Sequence, residues 1–198
     1  PENRRVRLQT IMEGIKTGNR LFSQTSRRGD EITVVPTNHF ILPADSTVVF
    51  ENGVVKAENA DEYNDPLLWS VNGGQMLKSN LVTLDILASF NWERPVYFVA
   101  GGNDGAMKME KFFQKEGLAY RLVPIETTGR NFFTYGRIDP EILDQHLMED
   151  FTWGRMNEED VYLDHYNLRT FSVIKFRKNF VRLADAWLQE GDTLRAEE

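Results

Sequence analysis

The chain has 198 residues, and 23 Lys+Arg against 30 Asp+Glu leave it a formal charge of −7. A hydrophobic fraction of 41%, with 13 Phe, 6 Tyr and 4 Trp, supplies enough apolar mass for a packed core and excludes wholesale disorder. The acidic balance speaks against nucleic acid as a partner, no run of 18 apolar residues occurs, and the lack of cysteine removes disulfides, thiolate zinc sites and cysteine nucleophiles.

Residues 1–30 form a basic helical lead-in. They carry Arg4, Arg5, Arg7, Lys16, Arg20, Arg27 and Arg28 against Glu2, Glu13 and Asp30. Val6, Leu8, Ile11, Met12 and Ile15 fit a short helix that stops at Gly18-Asn19. The plainer reading is a solvated basic helix. The sharper one is a segment beside a membrane, where basic residues meet anionic lipid.

Residues 31–165 read as one mixed domain. Ile32–Val35, Phe40–Leu42 and Thr47–Phe50 are expected strands, and Asn52-Gly53 is expected to turn a hairpin between Val48–Phe50 and Val54-Val55. Residues 57–76 are polar and turn-rich, a surface excursion. Leu81, Val82, Leu84, Ile86, Leu87 and Ala88 mark a buried helix over 80–90 with Ser79 or Asn80 as its cap. Pro95–Ala100 is an apolar strand of the kind buried on both faces. A glycine turn, a helix over 106–116 with Met109, Phe112 and Phe113 inward, and a second strand at Leu118–Ile125 complete a parallel βαβ unit. A short helix follows from Pro140 to about Asp150. The fold class is therefore α/β or α+β, with a small sheet, a βαβ unit, an N-terminal β-hairpin region and a long C-terminal helix.

That last helix occupies much of residues 166–198. Phe176, Phe180, Leu183, Ala184, Trp187 and Leu188 form its stripe, and Gly191-Asp192 breaks it before a new run at Thr193. Leu183-Ala184, Trp187, the Gly191-Asp192 turn and Ala196 resemble a tetratricopeptide unit, so the tail is expected to be a truncated repeat that continues into C-terminal helical repeats.

Few residues point to chemistry. Gly101–Gly105, after a strand and before a helix, could cradle an anion, but it lacks the P-loop ending and Asp104 would repel phosphate. Glu158-Glu159-Asp160 fits a solvated loop better than a converging catalytic pair. His39, His146 and His165 lack metal-ligand spacing, and neither a G-x-S-x-G elbow nor a D-x-D triplet occurs. No catalytic residue, cofactor or metal is expected. A partner surface is expected at Phe132, Phe133 and Tyr135, with Trp187.

Asn91-Trp-Glu-Arg-Pro-Val-Tyr-Phe98, Glu116-Gly-Leu-Ala-Tyr-Arg-Leu-Val-Pro-Ile125, Phe151-Thr-Trp-Gly154 and Val161-Tyr-Leu-Asp164 lead into Phe176, Phe180 and Leu183-Ala184. In order and spacing these blocks resemble the C-terminal part of bacterial membrane proteins of the domain of unknown function 2723 family, protein O-mannosyltransferase-like. The resemblance implies a preceding bundle of transmembrane helices, this domain, and then tetratricopeptide-like repeats. It also implies an acidic catalytic motif in the membrane part. Asp30-Glu31 and Asp61-Glu62 have the right type but lie in the wrong region, so no catalytic role is carried onto them.

The expected function is a non-catalytic domain of a membrane-embedded glycosyltransferase-like protein, for acceptor or partner recognition or for scaffolding. Its partners would be the transmembrane part of the same polypeptide, the helical repeats and a protein or glycan acceptor. The alternative is a small-molecule-binding α/β enzyme domain using Gly101–Gly105. Apolar runs of about 20 residues encoded upstream of Pro1 would separate the two. A lipid-linked sugar donor implies a periplasmic domain, whereas basic residues bordering a membrane helix favour the cytoplasmic side.

Overall fold

The computed structural model describes residues 4–74, 76–99, 107–127, 136–155, 158–162, 164–166 and 173–197, and its class is α+β. The first layer is a sheet of three strands in the order β1-β4-β5 (Val6–Arg7, His39–Leu42 and Leu67–Ser70). β1 runs parallel to β4, and β4 pairs antiparallel with β5. Side chains alternate across a strand, so Phe40 and Leu42 face inward opposite Trp69 and Leu67, and the Phe40 and Trp69 rings meet at 5.1 Å. Helix α1 (Leu8–Lys16) buries Leu8, Ile11 and Met12 at helical spacing against this layer. Its Gly14 leaves room for the Phe22 ring, which a Cβ there would strike. Helix α1 is thus built into the core rather than standing off it as a solvated basic helix.

Between β1 and β4 an antiparallel hairpin, β2 (Ser23–Thr25) with β3 (Glu31–Thr33), stands out from the body. The hairpin expected at Asn52-Gly53 does not form. Ser46–Glu51 is helix α2, started by the Asp45 side chain accepting from Thr47 N at 2.9 Å, and Asn52-Gly53 ends it. The β-branched run Thr47-Val48-Val49 yields to this cap and to burial of Val49. Helix α3 (Lys78–Ser89) has Leu77 in front of it, and Asn80 Oδ1 accepts from Leu77 N at 2.9 Å. Leu84, Leu87 and Ala88 are buried, while Val82 and Ile86 face solvent, so the helix is covered on one side only.

The expected βαβ unit is corrected as well. β6 (Tyr97–Val99), β7 (Phe113–Glu116), β8 (Ala119–Leu122) and β9 (Arg137–Ile138) make a second sheet in the order β6-β8-β7-β9. β6 and β7 both run antiparallel to β8, and only β9 is parallel to β7. A 3-10 turn, Glu110–Phe112, stands where a helix was expected. Gly117, with φ +67°, opens the two-residue β7–β8 turn rather than ending a helix. β6 is an edge strand with Val99 83% exposed, not a strand buried on both faces.

The C-terminal side is helical. α4 (Pro140–Asp144) continues into a π turn, Gln145–Asp150, and α5 (Val173–Glu190) is followed by α6 (Thr193–Glu197). Leu143, Leu147, Leu183 and Trp187 form a small core of their own, flanked by Ile138, Phe151, Trp153 and Phe180. As expected from the sequence, Gly191, with φ +85°, separates the last two helices.

Candidate functional site

β7 is paired on both sides, and all four of its side chains are buried, three of them polar. Alternation sends Phe113 and Lys115 to one face and Gln114 and Glu116 to the other. On the first face Phe98, Phe113 and Tyr120 stack in series at 4.8 and 5.6 Å, and Lys115 Nζ lies 4.3 Å from the Tyr120 ring centre. Burial, with a smaller contribution from the Arg182 charge, pulls the Lys115 ammonium down to about 8.

On the second face Glu116 is the acceptor at the centre. Tyr97 Oη donates to its Oε2 at 2.6 Å, Gln114 Nε2 donates to Oε1 at 2.8 Å, and Arg121 Nη1 lies 3.6 Å from Oε1. Burial, then the hydrogen bond to Glu116 and its charge, push the Tyr97 phenol up to about 12, against the pull of Arg121. Arg121 Nε has no hydrogen-bond partner among the described residues.

Beside this sheet lies an open groove of about 680 Å³ lined by Tyr63, Asn64, Ile125, Glu126, Arg137 and Ile138, with Asp61, Glu62 and Thr127 at its edge. Residues 57–76 are not a surface excursion throughout, since they include β5 with Leu67 and Trp69 buried, but their first part builds the groove wall: Tyr63 bridges Ile125, and Asn64 N donates to Pro124 O at 2.8 Å. Tyr63 Oη donates to Ala44 O, and burial followed by the Asp65 and Asp45 charges raises its pKa. Arg137 Nη2 reaches Asn59 Oδ1 at 3.2 Å and Glu62 at 3.4 Å, and Lys111 holds Glu126 at 2.9 Å. Of the groove's acids, Glu62 and Glu126 are thus engaged by cations.

A third polar cluster joins the two halves. Asp139 caps α4 by accepting from Ile142 N at 3.1 Å, and Pro140 takes the first helical position. Lys56 Nζ, 83 residues earlier in the chain, donates to Asp139 at 3.0 Å and to Glu141 at 2.7 Å. Burial opposes the Lys56 charge, but these hydrogen bonds outweigh it and hold the ammonium above its usual pKa, while Lys56 lowers that of Glu141. Arg182 on α5 adds a bond to Gly136 O at 2.8 Å.

The residues singled out from the sequence fall elsewhere. Phe132, Phe133, Tyr135 and Gly101–Gly105 lie outside the described residues. Trp187 is 3% exposed inside the helical core, with Arg195 stacked 4.6 Å over its ring, so it is packing rather than open surface. Glu158 and Asp160 pair with exposed Arg155. His39 Nδ1 lies 2.6 Å from Ser70 Oγ across the β4–β5 pair, and His146 sits 3.7 Å from Asp150. Among the described residues no three His, Asp or Glu side chains are placed to hold a metal ion. Sequence reasoning missed Lys56, Lys115 and Glu116. Asp139-Pro140 was the one available signal, as a cap followed by proline.

Among the described residues, no helix is long and apolar enough to cross a membrane. A family model described as TMEM260-associated domain 2 matches residues 1–142. No curated protein and no solved structure matches the chain.

Proposed function

The chain belongs to the TMEM260-associated domain 2 family, and from that premise we propose that it is a non-catalytic recognition and scaffolding domain of a membrane-embedded, glycosyltransferase-like protein. The observation that carries this reading is the reach of the match. Residues 1–142 span the whole body core and end inside α4, where the helical cluster begins. In this reading the domain stands between a membrane part and a helical tail; Lys56 ties the start of α4 to the body, and Arg182 ties α5 of the tail to Gly136.

The acids support a binding role. Glu116, Glu62, Glu126 and Asp139 are each tied to a donor that holds a strand, a groove wall or a helix start in place. The groove beside Tyr63 and Arg137 is where a polar acceptor chain would lie. The tail resembling a tetratricopeptide unit would pass this domain on to further repeats, and a lipid-linked sugar donor would place it in the periplasm.

The test uses the full-length natural protein. It should stay in the membrane pellet after alkaline carbonate extraction, and a compartment-sensitive reporter fused after Glu198 should report a position outside the cytoplasm. Release into the supernatant, or turnover of a lipid-linked sugar by the isolated domain, would contradict the reading.

A further inference from the structure

The β2–β3 hairpin does little for the core. Apart from Phe22 at its base, which packs over Gly14, and the Val34 N to Phe22 O bond of 2.8 Å, its strand residues are exposed or nearly so. A two-stranded ribbon is marginal in water without a partner. Its tip is nevertheless well built. Ser26 N donates to Asp30 O at 2.7 Å, Gly29 N donates to Ser26 O at 3.0 Å, and Ser26 Oγ accepts from Arg28 N and Asp30 N. This loop holds Arg27 and Arg28 outward, and exposed Arg20 stands at the base.

Two large apolar side chains sit among these cations. Leu21 is 76% exposed and Ile32 49%. Many cations of the chain are ion-paired, but among the described residues these arginines, like exposed Lys78, Arg94 and Arg177, are not. Lys56, Lys111, Arg121, Arg137, Arg155 and Arg195 each have a carboxylate within ion-pair distance. Arg20, Arg27 and Arg28 have none among the described residues. Net charge does set this end apart: residues 1–30 carry seven basic and three acidic side chains, and the rest of the chain 16 against 27.

We propose that this arm docks the domain onto the anionic lipid surface of the membrane that carries its parent polypeptide, with Arg20, Arg27 and Arg28 on lipid phosphates and Leu21 and Ile32 entering the interface. The proposal rests on the membrane-protein reading above. Charge complementarity selects the occupant, since unpaired arginines beside exposed aliphatic side chains are what an anionic interface accepts. Asp30 and Glu31 on the same arm keep the contact weak, and Glu31 alternates to the face opposite Ile32. A weak contact suffices, because tethering to the membrane part makes docking intramolecular. Arg4, Arg5 and Arg7, also exposed, extend the basic segment beyond the other end of α1, about 14 Å away by helix rise.

The experiment is co-sedimentation of this chain with phosphatidylcholine vesicles, with and without phosphatidylglycerol. Binding should require the anionic lipid and fade as salt rises. The triple variant R20Q/R27Q/R28Q should bind at least about tenfold more weakly, and L21S/I32S should also lose binding. The control K78Q/R94Q/R177Q removes equal charge from other exposed positions and should bind as the parent chain does. Absence of binding to anionic vesicles, equal binding to neutral ones, equal loss in the control, or self-association through the arm instead would each overturn the proposal. Full-length protein carrying R20Q/R27Q/R28Q should still resist carbonate extraction. Its release would count against the membrane-protein reading, whereas failure of vesicle binding alone sinks only the arm.

Discussion

The body and the C-terminal helices bury their apolar side chains on very different scales. The body core runs without a break from Leu8 on α1 to Ile125 and includes Phe40, Trp69, Leu84, Phe112 and Phe113. Among the described residues the helical cluster has Leu143, Leu147, Leu183 and Trp187 buried inside, and Val181, Leu188 and Leu194 face solvent. A fully buried aliphatic or aromatic side chain contributes roughly 1.5–3 kcal/mol by burial, so the body can hold itself together and the helices cannot do so to the same degree. What compensates them is contact with the body: the Lys56 bridge to Asp139 and Glu141, the Arg182 bond to Gly136, and the close seat of Phe151 against Gly117.

The largest effect should come from the body. Phe113→Ala removes a fully buried ring stacked between Phe98 and Tyr120, and should cost about 3–5 kcal/mol in urea unfolding, with both regions lost together. A cost below about 1 kcal/mol would place Phe113 outside the core.

Lys115 comes next, and here the sign is reversed. Its folded-state pKa of about 8 lies below the ordinary 10.5. Between those values the unfolded chain binds more protons, so stability rises with pH across that window and the burial penalty is complete below it. Lys115→Met should therefore stabilise the protein by about 1–3 kcal/mol at neutral pH, less the lost contact with Tyr120, and should flatten the rise. Thermal melts of both proteins from pH 7 to 10.5 check this, and an unchanged pH profile would remove Lys115 from the account.

The junction is expected to be intermediate. Asp139→Ala removes the α4 cap and one partner of Lys56, and should cost about 1–2 kcal/mol, read as faster hydrogen exchange in α4 with the body unaffected. The smallest effect is at the rim. Leu194→Ser, at an exposed position on α6, should change stability by no more than about 0.5 kcal/mol.

The parts legible in the sequence were those fixed locally. The stop of α1 at Gly18-Asn19, the start of α4 at Asp139-Pro140 and the apolar stripe of α5, apart from exposed Leu188, each follow from a cap, a glycine or a 3.6-residue period. The misread parts turned on an overlooked local cap or on distant neighbours. Thr47–Phe50 favours a strand by composition, but Asp45 caps it as a helix and Val49 enters the core. Phe112-Phe113 suits a helix face, yet one residue ends a turn and the next begins a strand between β8 and β9. The buried polar run Gln114-Lys115-Glu116 carries no hydrophobic signal at all. Its role depends on Tyr97, Tyr120 and Arg121, which only the sheet brings beside it.

Native-state hydrogen exchange tests most directly whether the helical cluster leans on a self-sufficient body. Amides of β7 and β8 should exchange only through global unfolding, while amides of residues 180–190 should open at lower free energy. Leu183→Ala should then accelerate exchange in α5 and leave β7 unchanged. Equal opening free energies in the two regions, lowered together by Leu183→Ala, would mean that body and helices form one cooperative unit, and would contradict the division drawn between them.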